Sequence, residues 1–280
     1  MVKLVLTEDE TMLADSARGF LDKSAPVKAF RDLRDAGQTH DAKMWKEMAA
    51  MGWAGVLVPE SAGGVDMGHA AAGILAQEMG KTLAVSPFLS TAVIAATALR
   101  HVSDARAEAA LAKIASGDAT YALAVDETSK FNPDATAMTA TAEGNGFRLT
   151  GKKTFVVDGA LADRLLVLAK TDNGLTLFDI PADRAGITRN AQNMIDARDS
   201  ARIDFDNVEA TGDDVLGQVD DAMTVLKPAI EAGQAALAAE MAGVAAGAFG
   251  MTVGYLKERK QFGTLIGTFQ ALQHRAAHLW

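Results

Sequence analysis

Cysteine is absent from the 280 residues, which excludes a disulfide framework, a thiolate nucleophile and thiolate metal ligation. That composition suits a reducing compartment, and a cytoplasmic location is the expectation. Basic charge is in short supply as well. Lys and Arg number 27 against 36 Asp and Glu, for a formal net charge of −9. A general nucleic-acid binder needs a basic footprint that this balance does not provide. Any site for an anionic small molecule must then be locally positive. The N-terminal MVKLVLTEDE has no apolar run of signal-peptide length, and its acidic residues come early. The most membrane-like stretch, 232–253, is mostly Ala and Gly and is interrupted by Gln234 and Glu240, so no membrane insertion is expected.

Several catalytic signatures are missing too. Gly63, Gly64 and Gly68 have neither the GxGxxG spacing nor the Lys-Ser/Thr of a phosphate loop. No Gly-x-Ser-x-Gly elbow organises the Ser, His and Asp residues. His274 and His278 lie four apart on a predicted helix, but no neighbouring Glu or Cys completes a metal set, and none is expected.

What is present is a chain whose hydrophobic period changes twice. With 49% hydrophobic residues and this length, it can bury a sizeable core without covalent staples. Residues 1–118 read as helical. Glu8 to Ser24 places Met12, Leu13, Phe20 and Leu21 near one face, opened by a Thr7–Glu10 capping box. Further helical patterns cover 40–51, 70–80, 91–99 and 105–116. From 119 to 218 the period becomes that of strands: Tyr121–Val125, Met138–Ala142, Phe147–Thr150, Lys152–Val157, Arg164–Ala169, Leu175–Ile180 and Ala201–Phe205, each bounded by Gly, Asp, Asn or Pro. Strands with no helix between them predict an antiparallel β-domain rather than a βαβ nucleotide fold. From 219 to 280 the pattern is helical again, with Pro228 as a kink or late start and one corner near 259–270. The final helix runs into His278-Leu279-Trp280 without a capping residue, so a third, bundle-like helical domain that is incomplete is the expectation. The fold class is α+β and multidomain.

The corner gathers unusual chemistry. Arg259 offers a fixed cation, Phe262 a flat apolar ring, and Gln261 and Gln270 two amides, around Gly263 and Gly267. A guanidinium binds phosphate through its planar fork, a ring stacks, and an amide both donates and accepts, which suits an anionic aromatic ligand.

Helical, then β, then helical, with Arg259-Lys260-Gln261-Phe262-Gly263 and Phe269-Gln270 in the last part, resembles the acyl-CoA dehydrogenase family over essentially the whole chain. The same resemblance is carried by Gly52-Trp53-Ala54-Gly55 through Pro59-Glu60, by the hairpin Phe147 to Phe155, and by Ile203 to Val208 with Val215-Leu216-Gly217. It implies an FAD-dependent oxidoreductase that desaturates an acyl-CoA thioester. It further implies a homo- or hetero-oligomer, dimer or tetramer, with FAD shared across the subunit interface. Arg259 and Gln270 would reach the adenosine–pyrophosphate end of a flavin held mainly by a neighbour, with Gln261 and Phe262 beside it. Phe155 would face the isoalloxazine, and Val157 stands where the family has Thr. The family's Thr-Glu-Pro and Gly-Ser-Asp segments are not retained in Val125 to Asp134. The usual carboxylate base lies beyond this sequence, and the position used by a minority of members, on the long helix, is Gly233. The catalytic residue is therefore unassigned, as are the acyl chain and the electron acceptor. The resemblance admits two functions: an acyl-CoA dehydrogenase, or a half-site subunit of a heteromeric one that contributes to a partner's FAD site.

Overall fold

The structure is a computed structural model that describes residues 5–196 and 198–280. Its first part is helical: α1 (Glu8–Ser24), α2 (Val27–Asp35), α3 (Ala42–Ala50), α4 (Gly68–Thr82), a π-helical segment (Phe88–Ala95) that continues as α5 (Ala96–Arg100), and α6 (Ala105–Ala115). The predicted capping box opens α1: Thr7 N donates to Glu10 Oε2 at 2.7 Å, and Glu10 N to Thr7 Oγ1 at 3.2 Å. Asp41 caps α3 through the backbone N–H groups of Lys43 and Met44. α2 is not expected from the sequence; Val27, Phe30 and Leu33 recur at helical spacing, yet none of its residues is buried.

Seven strands follow: β1 (Tyr121–Ala124), β2 (Thr139–Glu143), β3 (Gly146–Val157), β4 (Arg164–Lys170), β5 (Leu175–Pro181), β6 (Ile187–Ala191) and β7 (Ser200–Thr211). They form one sheet of order β1-β4-β2-β3-β7-β6, with β5 also paired to β4. This corrects the antiparallel expectation, because β4 runs parallel to β1 and, at one residue pair, to β2. A tight hairpin can only make antiparallel neighbours, but the chain between β1 and β4 is long enough to cross and return in the same direction. The sequence splits 147–157 into two strands at Gly151. The structure keeps one strand with register shifts at Leu149/Gly151 and Lys153/Val156. β4 is buried throughout 165–169, its odd residues in the sheet's own core and Leu166 and Leu168 against the helices. That two-sided burial explains the unbroken apolar run Leu165 to Ala169.

The chain ends in α7 (Ala222–Glu258), a hairpin of β8 (Lys260–Gln261) and β9 (Thr264–Leu265), a short 3₁₀ turn, and α8 (Gln270–Leu279). α7 is one helix of 37 residues and passes through Pro228, which neither starts nor ends it. It is long and apolar enough to cross a membrane by length and composition. Its first half is buried against the rest of the protein at Val225, Leu226, Ala229, Ala232 and Ala236. The Gly243-x-x-x-Gly247 spacing marks a close crossing with α4. A Cβ on Gly243 would fall 2.0 Å from the Gln77 carbonyl oxygen, and one on Gly80 would fall 2.2 Å from that of Glu240. Nothing larger than glycine fits between these backbones.

Candidate functional site

The corner is built by local rules. Arg259 leaves the helical conformation at the C-terminal end of α7, its N–H still donating to Tyr255 O at 2.9 Å, and its own carbonyl accepts from Ile266 N at 2.9 Å. Between those anchors, β8 and β9 pair with only Phe262 and Gly263 at the turn. Both have positive φ, 53° and 81°, as a type I′ turn requires. Gly263 adopts this without cost, whereas Phe262 carries strain of about 1–2 kcal/mol. The strained ring is 93% exposed and rests edge-on against Phe269, with centroids 6.3 Å apart. A large apolar ring held in this conformation and presented to solvent is a feature to be explained by binding. Arg259, Gln261 and Gln270 are exposed on the same hairpin and the first turn of α8. No residue of β8, β9 or α8 is buried among the described residues.

Phe155 and Val157 belong to a different element. The second register shift of β3 sets Thr154 and Phe155 against the single residue Arg202 of β7, and this bulge turns Phe155 outward with φ 52°. Its ring is 40% exposed, and Val157 is exposed beside it. The bulge is tied on both sides. Thr154 N donates to Asp126 O at 2.8 Å, and Phe155 N to Gln192 Oε1 at 2.9 Å.

Behind the bulge lies a pair that sequence reading missed. Lys153 is fully buried, and its Nζ donates to Glu127 Oε1 at 2.7 Å and Val125 O at 3.0 Å. Burial pushes the Glu127 carboxyl up, but Lys153 and the N–H groups of Met138 and Ala137 outweigh it and hold the carboxyl below its ordinary value. The segment 125–138, which lacks the family's two motifs, is thus still anchored to β3 by a carboxylate. The signal was available: Lys153 shares inward parity with Leu149. Next to Glu127, Asp126 Oδ1 is buried without a hydrogen-bond partner, and burial raises the pKa of its carboxyl.

The candidate base positions fare differently. A Cβ on Gly233 would lie 2.7 Å from Ile94 Cγ1 and 2.9 Å from its Cδ1, so Ile94 fills the place a carboxylate would need. Glu231 is exposed on the outer face near Lys227. Glu240, two turns beyond Gly233 on nearly the same face, pairs with Arg198. With Asp158 and Asp199 these line a cavity of about 30 Å³, room for little more than one water. Asp158 accepts a hydrogen bond from Ser90. Its carboxyl is pushed up to about 7, mainly by burial and further by the charge of Asp199, against the pull of Ser90 and Arg198. No sequence motif announces this cluster, because its members come from the π-helical segment, the adjoining ends of β3 and β7, and α7.

The residues fit FAD at both places. The corner offers a cation, two amides and a ring to a diphosphate and a purine. The bulge offers a ring and, next to it, an unsatisfied buried acceptor. The absence of a hydroxyl at Val157 removes one further partner.

The comparisons agree with this architecture. The acyl-CoA dehydrogenase N-terminal domain pattern matches residues 7–118 and the C-terminal domain pattern residues 222–280. The chain is 32% identical to the Tcur3481–Tcur3483 steroid acyl-CoA dehydrogenase, covering 96% of this chain and 72% of that one with a TM-score of 0.86. It is 26% identical to a chain of the ChsE4–ChsE5 complex from Mycobacterium tuberculosis, with coverage of 99% and 74% and a TM-score of 0.87. Among curated relatives, it is 27% identical to the 3-(aryl)acrylate reductase of Clostridium sporogenes over 289 residues, 99% of this chain and 76% of that protein. A chain that keeps this order of parts and this similarity belongs to the acyl-CoA dehydrogenase family, whose members are FAD-dependent oxidoreductases acting on CH–CH bonds.

Proposed function

We propose that this chain is one subunit of a heteromeric acyl-CoA dehydrogenase and that it works by presenting its Arg259–Gln270 corner to FAD held mainly by a second subunit. The observation that carries the reading is that corner itself: Arg259, a strained Phe262 and Gln270 face outward from a segment with no buried residue. The assembly desaturates an acyl-CoA thioester between its α and β carbons. When bound, FAD supplies the acceptor for the hydride that leaves the β-carbon. This chain's part is to hold the cofactor. Arg259 would donate to phosphate oxygens, Gln261 and Gln270 would donate to and accept from the adenosine, and Phe262 would offer it an apolar ring. Phe155 and Val157 would meet the ring of a different FAD, the one set against this chain's own sheet. Ile94 against Gly233 favours a supporting role over proton removal by α7. The relatives named as two-component complexes, Tcur3481–Tcur3483 and ChsE4–ChsE5, support the heteromeric arrangement.

The test is the visible spectrum of the chain purified alone and with a second acyl-CoA dehydrogenase subunit encoded nearby. Flavin absorbance only in the mixture, bleached by acyl-CoA, is the expected result. A lone chain that retains FAD and is bleached by acyl-CoA would overturn the half-site reading. In the complex, Arg259→Ala is expected to weaken FAD retention by about 1.5–3 kcal/mol, the worth of a charge-assisted hydrogen bond. Unchanged flavin content on gel filtration of that variant would defeat the assignment of Arg259.

A further inference from the structure

The β3 bulge that turns Phe155 outward breaks the β3–β7 ladder, and something must replace the lost pairing. The register runs Lys153↔Ile203 and resumes at Val156↔Ala201, so two residues of β3 face one of β7. Phe155 N–H consequently has no backbone partner in the sheet. Gln192 supplies one from two strands away. It lies one residue past β6, continues that strand's pairing through Gln192 N to Ser200 O at 2.7 Å, and sends its side chain across β7. Its Oε1 accepts from Phe155 N at 2.9 Å and from Ser200 Oγ at 3.4 Å, while its Nε2 donates to Thr154 Oγ1 at 3.4 Å. One amide therefore engages both bulged residues and the cross-strand neighbour of Val157.

We propose that Gln192 is a positioning residue: its side-chain amide fixes the β3 bulge and so sets the direction in which Phe155 meets the flavin. The proposal rests on the reading of Phe155 as the flavin-facing ring. The physical case is one of conformational choice. A non-glycine residue at φ 52° lies outside its preferred basin and persists only while its surroundings hold it there. On one side the hold is Asp126 O on Thr154 N; on the other it is Gln192 alone. The Phe155 N–H is exposed enough for water to replace Gln192, so loss of the side chain releases the bulge without leaving a buried orphan. That separates positioning from general stability, and the two have different readouts.

The experiment uses the full chain with two variants. Gln192→Leu removes the acceptor at similar size, and Gln192→Glu keeps an oxygen for Phe155 N–H. Native-state amide exchange by NMR is expected to show Phe155 exchanging about tenfold faster in Gln192→Leu, the worth of one hydrogen bond. The β7 core amides of Ile203 and Phe205 should be unchanged, and Gln192→Glu should stay close to the parent. Equal Phe155 protection in Gln192→Leu and the parent would overturn the proposal, as would a speed-up shared by Ile203 and Phe205. In the FAD-loaded complex, visible circular dichroism is then recorded for Gln192→Leu and Phe155→Ala. Both variants shifting the flavin bands supports the proposal. A shift in Phe155→Ala without one in Gln192→Leu removes the positioning role alone. No shift in Phe155→Ala removes the flavin-facing reading, and the proposal with it.

Discussion

Glu127→Ala is expected to lower the free energy of unfolding by about 3–5 kcal/mol, because it strands a buried ammonium. Lys153 has no exposed surface, and without Glu127 its Nζ keeps one hydrogen-bond acceptor, the Val125 carbonyl 3.0 Å away, with the Asp126 carboxyl as the remaining nearby acid. The backbone N–H groups of Ala137 and Met138 lose their acceptor at the same time. Glu127 retains 17% of its side-chain surface, so some water can enter the gap and the loss should fall toward the lower end. Urea unfolding at pH 7 measures it, and a change below about 1 kcal/mol would show that Lys153 finds other solvation. The double variant Glu127→Leu, Lys153→Met is the informative control. Replacing both ions with apolar groups of similar volume is expected to recover most of the loss, since desolvating a pair offsets much of its attraction.

Asp158→Asn should stabilise the protein, and by more as pH rises. The carboxyl titrates at about 7 in the folded chain against 3.8 for an ordinary Asp. Between those values the folded state holds a proton that the unfolded state has released, so stability falls as pH climbs from about 4 to 7 and then levels off. At roughly 1.4 kcal/mol per unit, the advantage of the Asn variant should grow by up to roughly 2–3 kcal/mol between pH 5 and pH 8. Burial sets most of the effect; Ser90 and Arg198 favour the ionised form, and Asp199 repels it. Thermal midpoints of both proteins across that range decide the matter. A constant difference between them would mean that Asp158 is ionised throughout. The cluster joins the helical part, the sheet and α7, so the same titration reports on how firmly these parts hold together.

The local chemistry is legible in the order of the residues. Thr7 and Glu10 define the start of α1, and Gly263 and Gly267 mark a corner after α7, although the hairpin turn falls at Phe262-Gly263 rather than between the two glycines. The small residues Gly243 and Gly247 give away a close helix crossing. Each of these depends on neighbours within a few positions, so the sequence alone determines it: most of the helices and strands, several of their caps, and that a cation, a ring and two amides share one corner. The short elements α2, β6, β8 and β9 are not legible this way. The family order of parts is legible for the same reason, as a succession of local patterns. Adjacency across long loops is not. Whether β4 lies parallel to β1 is settled by the crossing of the intervening hairpin, and that crossing is chosen by burial of both faces of Leu165 to Ala169. Ile94 closing on Gly233, Glu127 meeting Lys153, and Gln192 reaching across β7 to Phe155 bring together residues 26 or more positions apart. Such contacts have no period and no motif. They exist because packing in three dimensions leaves one volume to fill, one charge to pair or one N–H to satisfy, and only the tertiary structure decides which side chain does so.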